Sequence, residues 1–149
     1  MGSNSNPLGD KVVLVVDDEQ EILDTIEDLL VDEVGDLDFA TGYEKARSLL
    51  DSKAYDLAVF DLMGVRGLDL VRDYSRTVDT IVLTGQSVRP ATVNWILEHN
   101  VKAFLPKPEM TDLERCLRIV VTSPKSVELW NLWMKAKARA EAAGENAAL

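Results

Sequence analysis

Five short apolar runs, each followed by a stretch of helical periodicity, constrain this chain more than any other feature. Lys11–Val16 is continuous and β-branched, the pattern of a strand buried on both faces. Further strands are predicted at Leu37–Ala40, Tyr55–Phe60, Thr80–Leu83 and Val101–Leu105. Between the first two, Glu19 to Val34 sets Ile22, Ile26, Leu29 and Leu30 on one helical face and Glu21, Asp24 and Asp28 on another, with Gly35 as the stop. Helices are also predicted at Tyr43–Ser52, Gly67–Arg76 and Pro90–Asn100. Leu113, Cys116, Leu117, Val120 and Val121 mark the inner stripe of a fifth. Strand–helix alternation of this kind predicts an α/β layer fold on a parallel sheet.

The 149-residue length suits one such domain with a short appendage. A net charge of −10 makes a poor surface for a phosphate backbone, so direct nucleic-acid binding is not expected. The longest tightly apolar run, Val12–Val16, is far too short to span a bilayer. Residues 1–10 (MGSNSNPLGD) are small, polar and broken by Gly and Pro, and read as a flexible leader with no signal-peptide pattern. The single cysteine, Cys116, excludes an internal disulfide and a C-x-x-C pair. With one histidine, His99, there is no multi-histidine metal site; its place near a helix end suits the C-terminal dipole. No Gly-rich phosphate loop is present, and a cytoplasmic location is expected.

In open parallel sheets, ligands bind beyond the carboxyl ends of the strands. Asp17 and Asp18 follow the first predicted strand, Asp61 the third, Thr84 the fourth and Lys107 the fifth. Parallel strands bring these side chains to one edge. Three carboxylates gathered there repel one another unless a cation lies between them, and an all-oxygen set suits Mg²⁺. Lys107 and the Thr84 hydroxyl are then left for an anionic oxygen. Metal, carboxylate, hydroxyl and ammonium together suit phosphoryl transfer onto an aspartate.

Residues 11–123 resemble the receiver domain of bacterial two-component response regulators, including the chemotaxis type. The motifs that carry the resemblance are Val15-Val16-Asp17-Asp18-Glu19, Ala58-Val59-Phe60-Asp61-Leu62-Met63, Ile81-Val82-Leu83-Thr84-Gly85 and Phe104-Leu105-Pro106-Lys107-Pro108. The resemblance implies a flavodoxin-like, five-stranded parallel sheet of order 2-1-3-4-5 flanked by five helices. It also implies Asp61 as phosphoacceptor, Asp18 as a direct Mg²⁺ ligand and Asp17 as a ligand through water. The Met63 carbonyl completes the implied metal set. Thr84 and Lys107 contact the phosphoryl group, and Phe104 stands at the family's switch aromatic. The chain is then no enzyme beyond slow autodephosphorylation. Gln86 and Met63 border the pocket and offer no base to activate water. A cis Lys107–Pro108 bond is expected from the same resemblance.

The sequence departs from the family's usual Met-Pro after the acceptor: Gly64-Val65-Arg66 follows Met63, and Gly67 opens the next helix early. Two functions follow. The first is a switch that takes a phosphoryl group from a histidine kinase or phosphotransfer protein and signals to a downstream protein by contact. The second is a degenerate receiver acting as a phosphorylation-independent interaction module. An aspartate-nucleophile phosphatase needs a second acid two residues after its nucleophile, where Asp61 has Met63; Asp17 has Glu19 there, without the expected following Thr.

Residues 124–149 form a distinct helical extension, with four bases against three acids. Over 124–142, Val127, Trp130 and Met134 follow one stripe, and Leu129, Leu132, Trp133 and Ala136 the adjoining one. So much apolar surface predicts docking, either on the receiver domain or on a second copy in a homodimer.

Overall fold

The computed structural model describes residues 6–85 and 89–147, apart from the side chains of Pro124 and of residues 138–147. Five parallel strands form one sheet: β1 (Val12–Val16), β2 (Asp36–Ala40), β3 (Leu57–Asp61), β4 (Asp79–Thr84) and β5 (Ala103–Pro106). Their order is β2-β1-β3-β4-β5. Val13 pairs with Leu37 on one side and Leu57 on the other, so β1 lies inside the sheet. That placement explains its unbroken apolar sequence.

The helices are α1 (Gln20–Leu30), α2 (Tyr43–Ser52), α3 (Gly67–Tyr74), α4 (Pro90–Glu98), α5 (Leu113–Thr122) and α6 (Pro124–Ala147). A 3-10 helix, Lys107–Asp112, joins β5 to α5. The predicted α/β architecture, strand order and extra C-terminal helix are all present. α1 ends at Leu30 rather than Val34, because the chain turns there and donates the Glu33 and Val34 N–H groups back to the Leu30 carbonyl. Its buried stripe is Leu23, Ile26 and Leu30, so Ile22 and Leu29 flank that stripe rather than form it. Cys116 is fully buried among core residues. His99 caps α4, its ring nitrogen Nδ1 2.7 Å from the Trp95 carbonyl.

Residues 6–10 differ from a flexible leader. Leu8 is wholly buried, the Gly9 N–H donates to the Asn6 carbonyl, and Asn6 Oδ1 accepts from Arg118. Arg118 also pairs with Glu33 at 2.7 Å, so this turn is pinned to both α5 and the end of α1. One apolar residue placed beside a polar cluster suffices to anchor it. Residues 1–5 of the expected leader lie outside the described residues.

Among the described residues, α6 docks on the sheet domain by one stripe. Trp130 and Met134 are buried, whereas Leu129 is 68% exposed, Leu132 61% and Trp133 48%. Among the described residues, no helix is long and apolar enough to cross a membrane.

Candidate functional site

The carboxyl ends of β1, β3, β4 and β5 carry the site. Asp17 follows the last residue of β1, Asp61 and Thr84 are the last residues of β3 and β4, and Lys107 follows β5 directly. Asp17, Asp61 and Thr84 are buried. The Lys107 ammonium lies 3.1 Å from Asp17 Oδ2, 3.2 Å from Asp61 Oδ1 and 3.6 Å from Glu19 Oε1. Asp17 Oδ1 accepts the Glu19 N–H at 2.9 Å, which turns the chain from β1 into α1. Asp61 Oδ1 accepts the Met63 N–H at 3.3 Å.

Electrostatics follow from this crowding. Burial raises the Asp17 carboxyl above its ordinary value, against its hydrogen bonds from Glu19 and Lys107. Burial, and then the neighbouring Asp17 charge, raise Asp61 as well. Desolvation acts to lower Lys107, but its hydrogen bond and attraction to Asp17, followed by the Asp61 charge, outweigh it and hold the ammonium above its usual value. One cation shared between two buried carboxylates leaves the pocket with surplus negative charge.

A divalent cation fits that surplus. Carboxylate oxygens of Asp17, Asp18 and Glu19 lie within 4.8 Å of one another. Among the described residues, buried Thr84 Oγ1 has no hydrogen-bond partner, and buried Asp17 Oδ2 has only its ion pair with Lys107. Such atoms are costly to bury unless something else satisfies them. Oxygen donors of this kind suit Mg²⁺, and the Thr84 hydroxyl suits an anionic oxygen. Glu19, part of the sequence motif but not assigned there as a ligand, belongs to this acidic group; it caps α1 directly after Asp17-Asp18.

The loop after Asp61 is compact. Gly64 has φ +84°, and a Cβ there would meet the Asp18 carboxylate. Gly67 packs so closely on the Asp61 carbonyl and Leu62 that a Cβ has no room. Val65 is buried, and the left-handed Arg66 (φ 55°) caps α3 and pairs with Asp69 at 2.8 Å. The short sequence between Met63 and Gly67 is thus a tight, anchored turn. The Met63 side chain is 71% exposed. Gln86 lies outside the described residues.

At β5 one expectation is overturned. No cis peptide occurs among the described residues, so Lys107–Pro108 is trans. The reason is the 3-10 helix: proline's fixed φ and missing N–H suit a first helical turn, and that turn itself aims Lys107 into the pocket. Phe104 is fully buried in the core beside Val82, its partner in the strand register.

The sequence model of the response regulator receiver domain matches residues 13–118. No curated protein matches the chain. The receiver domain of Francisella response regulator 1452 is similar at 22% identity, over 78% of this chain and 100% of that one, with a TM-score of 0.68. A CheY-like receiver domain protein from Methanospirillum hungatei has 20% identity over 79% and 98%, with a TM-score of 0.70. RcsB from Salmonella typhimurium, described for its conformational dynamism in DNA interaction, has 20% identity over 82% and 67%, with a TM-score of 0.65. These likenesses concern the fold. Together with the match over residues 13–118, they mean that this chain belongs to the response regulator receiver domain family.

Proposed function

We propose that this chain is a phosphorylation-controlled switch whose acceptor is Asp61. Receiver domains of two-component response regulators are phosphoacceptors and generally not enzymes. The observation that carries the assignment is the buried Asp61 carboxylate, 3.2 Å from Lys107, in the pocket that also holds the Thr84 hydroxyl, which has no partner among the described residues. In the proposed step an Asp61 oxygen attacks phosphorus, the P–N bond of a phosphohistidine donor breaks, and its electron pair stays on the imidazole. Asp17, Asp18, Asp61 and the Met63 carbonyl would hold Mg²⁺, which offsets charge on the transferring group. Lys107 and Thr84 take the phosphoryl oxygens, and Phe104 and Thr84 pass the change toward β5. The half-buried Lys107 charge, already held by Asp17 and Asp61, works with little reorganisation as negative charge builds.

The proposed donor is a histidine kinase or phosphotransfer protein, and the proposed location is the cytoplasm. Output is by contact with a downstream protein. The exposed Leu129, Leu132 and Trp133, beside a groove of about 570 Å³ against Arg115 and Ile119 of α5, support such a contact, with a second copy of the chain as one partner. Slow autodephosphorylation accords with Met63, which offers no base. Intact mass after acetyl phosphate, with and without Mg²⁺, tests the acceptor. A phosphoryl adduct is expected only with Mg²⁺ and is lost in Asp61→Asn. Wild type that gains no mass would instead mark a phosphorylation-independent interaction module.

A further inference from the structure

β5 is the outer strand of the sheet on its side, and an outer strand exposes backbone groups that need partners. α6 supplies them with side chains. Asn131 Oδ1 accepts the Phe104 N–H at 3.2 Å, and Asn131 Nδ2 donates to the Lys102 carbonyl at 3.1 Å. Trp130 Nε1 donates to the Phe104 carbonyl at 3.2 Å. A second grip lies further along. Lys137 pairs with Glu109 at 3.0 Å, and the Trp133 ring lies 4.5 Å from the same ammonium. Phe104 and Glu109 stand three residues before and two residues after Lys107, the cation of the acceptor pocket.

We propose that Trp130, Asn131 and Lys137 are positioning residues for Lys107, so that α6 fixes the backbone from which its ammonium reaches Asp17 and Asp61. A lysine stem carries much rotamer entropy, and its head group is useful only if the base of the stem is held. Strand pairing holds one side of that base: Leu105 is in register with Leu83, and Pro106 with Thr84. The 3-10 helix beyond has no such partner strand, and there the Glu109–Lys137 pair acts. None of the three residues touches the reacting atoms. The assignment rests on the acceptor function proposed above. It goes further by making the C-terminal helix part of the acceptor site.

The test uses the full chain with Mg²⁺ and beryllium fluoride, a mimic of a phosphoryl group on an aspartate. Asn131→Leu and Lys137→Gln are expected to weaken beryllofluoride affinity by about tenfold, the low end for losing the orienting partner of a ligand. The exchange Glu109→Lys with Lys137→Glu restores the pair with reversed charge and is expected to restore affinity, which a merely stabilising helix would not require. Two-dimensional NMR of the same proteins without ligand is expected to shift the Lys107 amide and side-chain resonances in Asn131→Leu and Lys137→Gln. Folded single variants with unmoved Lys107 resonances would overturn the proposal, whatever they bind. Moved resonances in a chain whose wild type ignores beryllofluoride would uphold the positioning role and overturn the acceptor function instead.

Discussion

A Cβ placed on Gly64 would stand 2.5 Å from Oδ2 of Asp18. Glycine there does two things: it permits φ +84°, and it leaves the Asp18 carboxylate beside Asp17 and Glu19. Gly64→Ala is therefore expected to cost about 1–2 kcal/mol through the left-handed backbone. The clash itself is relieved cheaply by swinging Asp18 aside. That movement should weaken Mg²⁺ binding beyond what the small stability loss suggests. Urea unfolding with and without Mg²⁺ checks both, and an unchanged Mg²⁺ effect would separate Gly64 from the metal group.

Mg²⁺ binding to the folded chain alone stabilises it by mass action, about 2.7 kcal/mol at a hundred times the dissociation constant. Wild type is expected to melt at a higher temperature as Mg²⁺ is added. Asp18→Asn keeps the fold, because Asp18 is exposed, but should lose most of that increment. Calorimetric scans over a Mg²⁺ series measure it. An increment equal to that of wild type would remove Asp18 from the ligand set.

Asp61 gives a pH dependence of definite sign. Burial and the Asp17 charge raise its folded value above the usual 3.8, so its ionisation opposes folding. The stability linked to its neutral form is full below about pH 3.8 and is lost as pH rises through the raised value. Asp61→Asn cannot ionise and escapes that loss, while Lys107 keeps Asp17 and Glu19 as partners. The metal-free variant is expected to be at least as stable as wild type, with a gap that opens as pH rises. Denaturant melts between pH 3.5 and pH 8, a span of roughly the carboxylate to physiological range, check the slope. A gap that narrows with pH would mean that Lys107 neutralises Asp61 fully.

The sheet and the main site were legible because both arise from strand patterning. β-branched runs fix the strands, parallel pairing fixes which ends converge, and Asp17, Asp61, Thr84 and Lys107 stand at those ends. Boundaries were less legible: α1 stops at Leu30 through backbone turns that no side chain announces. Leu8 is a single apolar residue in a polar segment, so periodicity gave it no weight, and only tertiary packing buries it. The trans Lys107–Pro108 bond was missed because the 3-10 helix is too short to leave a periodic pattern. In α6 both stripes were visible. Which one docks depends on Asn131 meeting the edge of β5, a contact spanning 27 residues that helical spacing cannot show.

The two tryptophans of α6 should therefore differ sharply in what they contribute. Trp130 is buried against the domain and donates its indole N–H to Phe104, so Trp130→Ala removes a large core side chain and leaves a carbonyl of the outer strand unpaired. A loss of about 3–5 kcal/mol is expected. Trp133 meets Trp130 edge-on, with ring centroids 6.4 Å apart, and remains 48% exposed. Its removal forfeits an aromatic edge contact and a cation–π partner for Lys137, together worth about 1 kcal/mol. Urea midpoints of the two variants measure the contrast. The same pair separates docking from self-association: Trp133→Ala should abolish any concentration-dependent dimer seen by light scattering while leaving the monomer folded, because its stripe faces outward beside Leu129 and Leu132. Equal losses from the two substitutions would mean that α6 docks by both stripes in solution, and the outward stripe would then be closed to a partner.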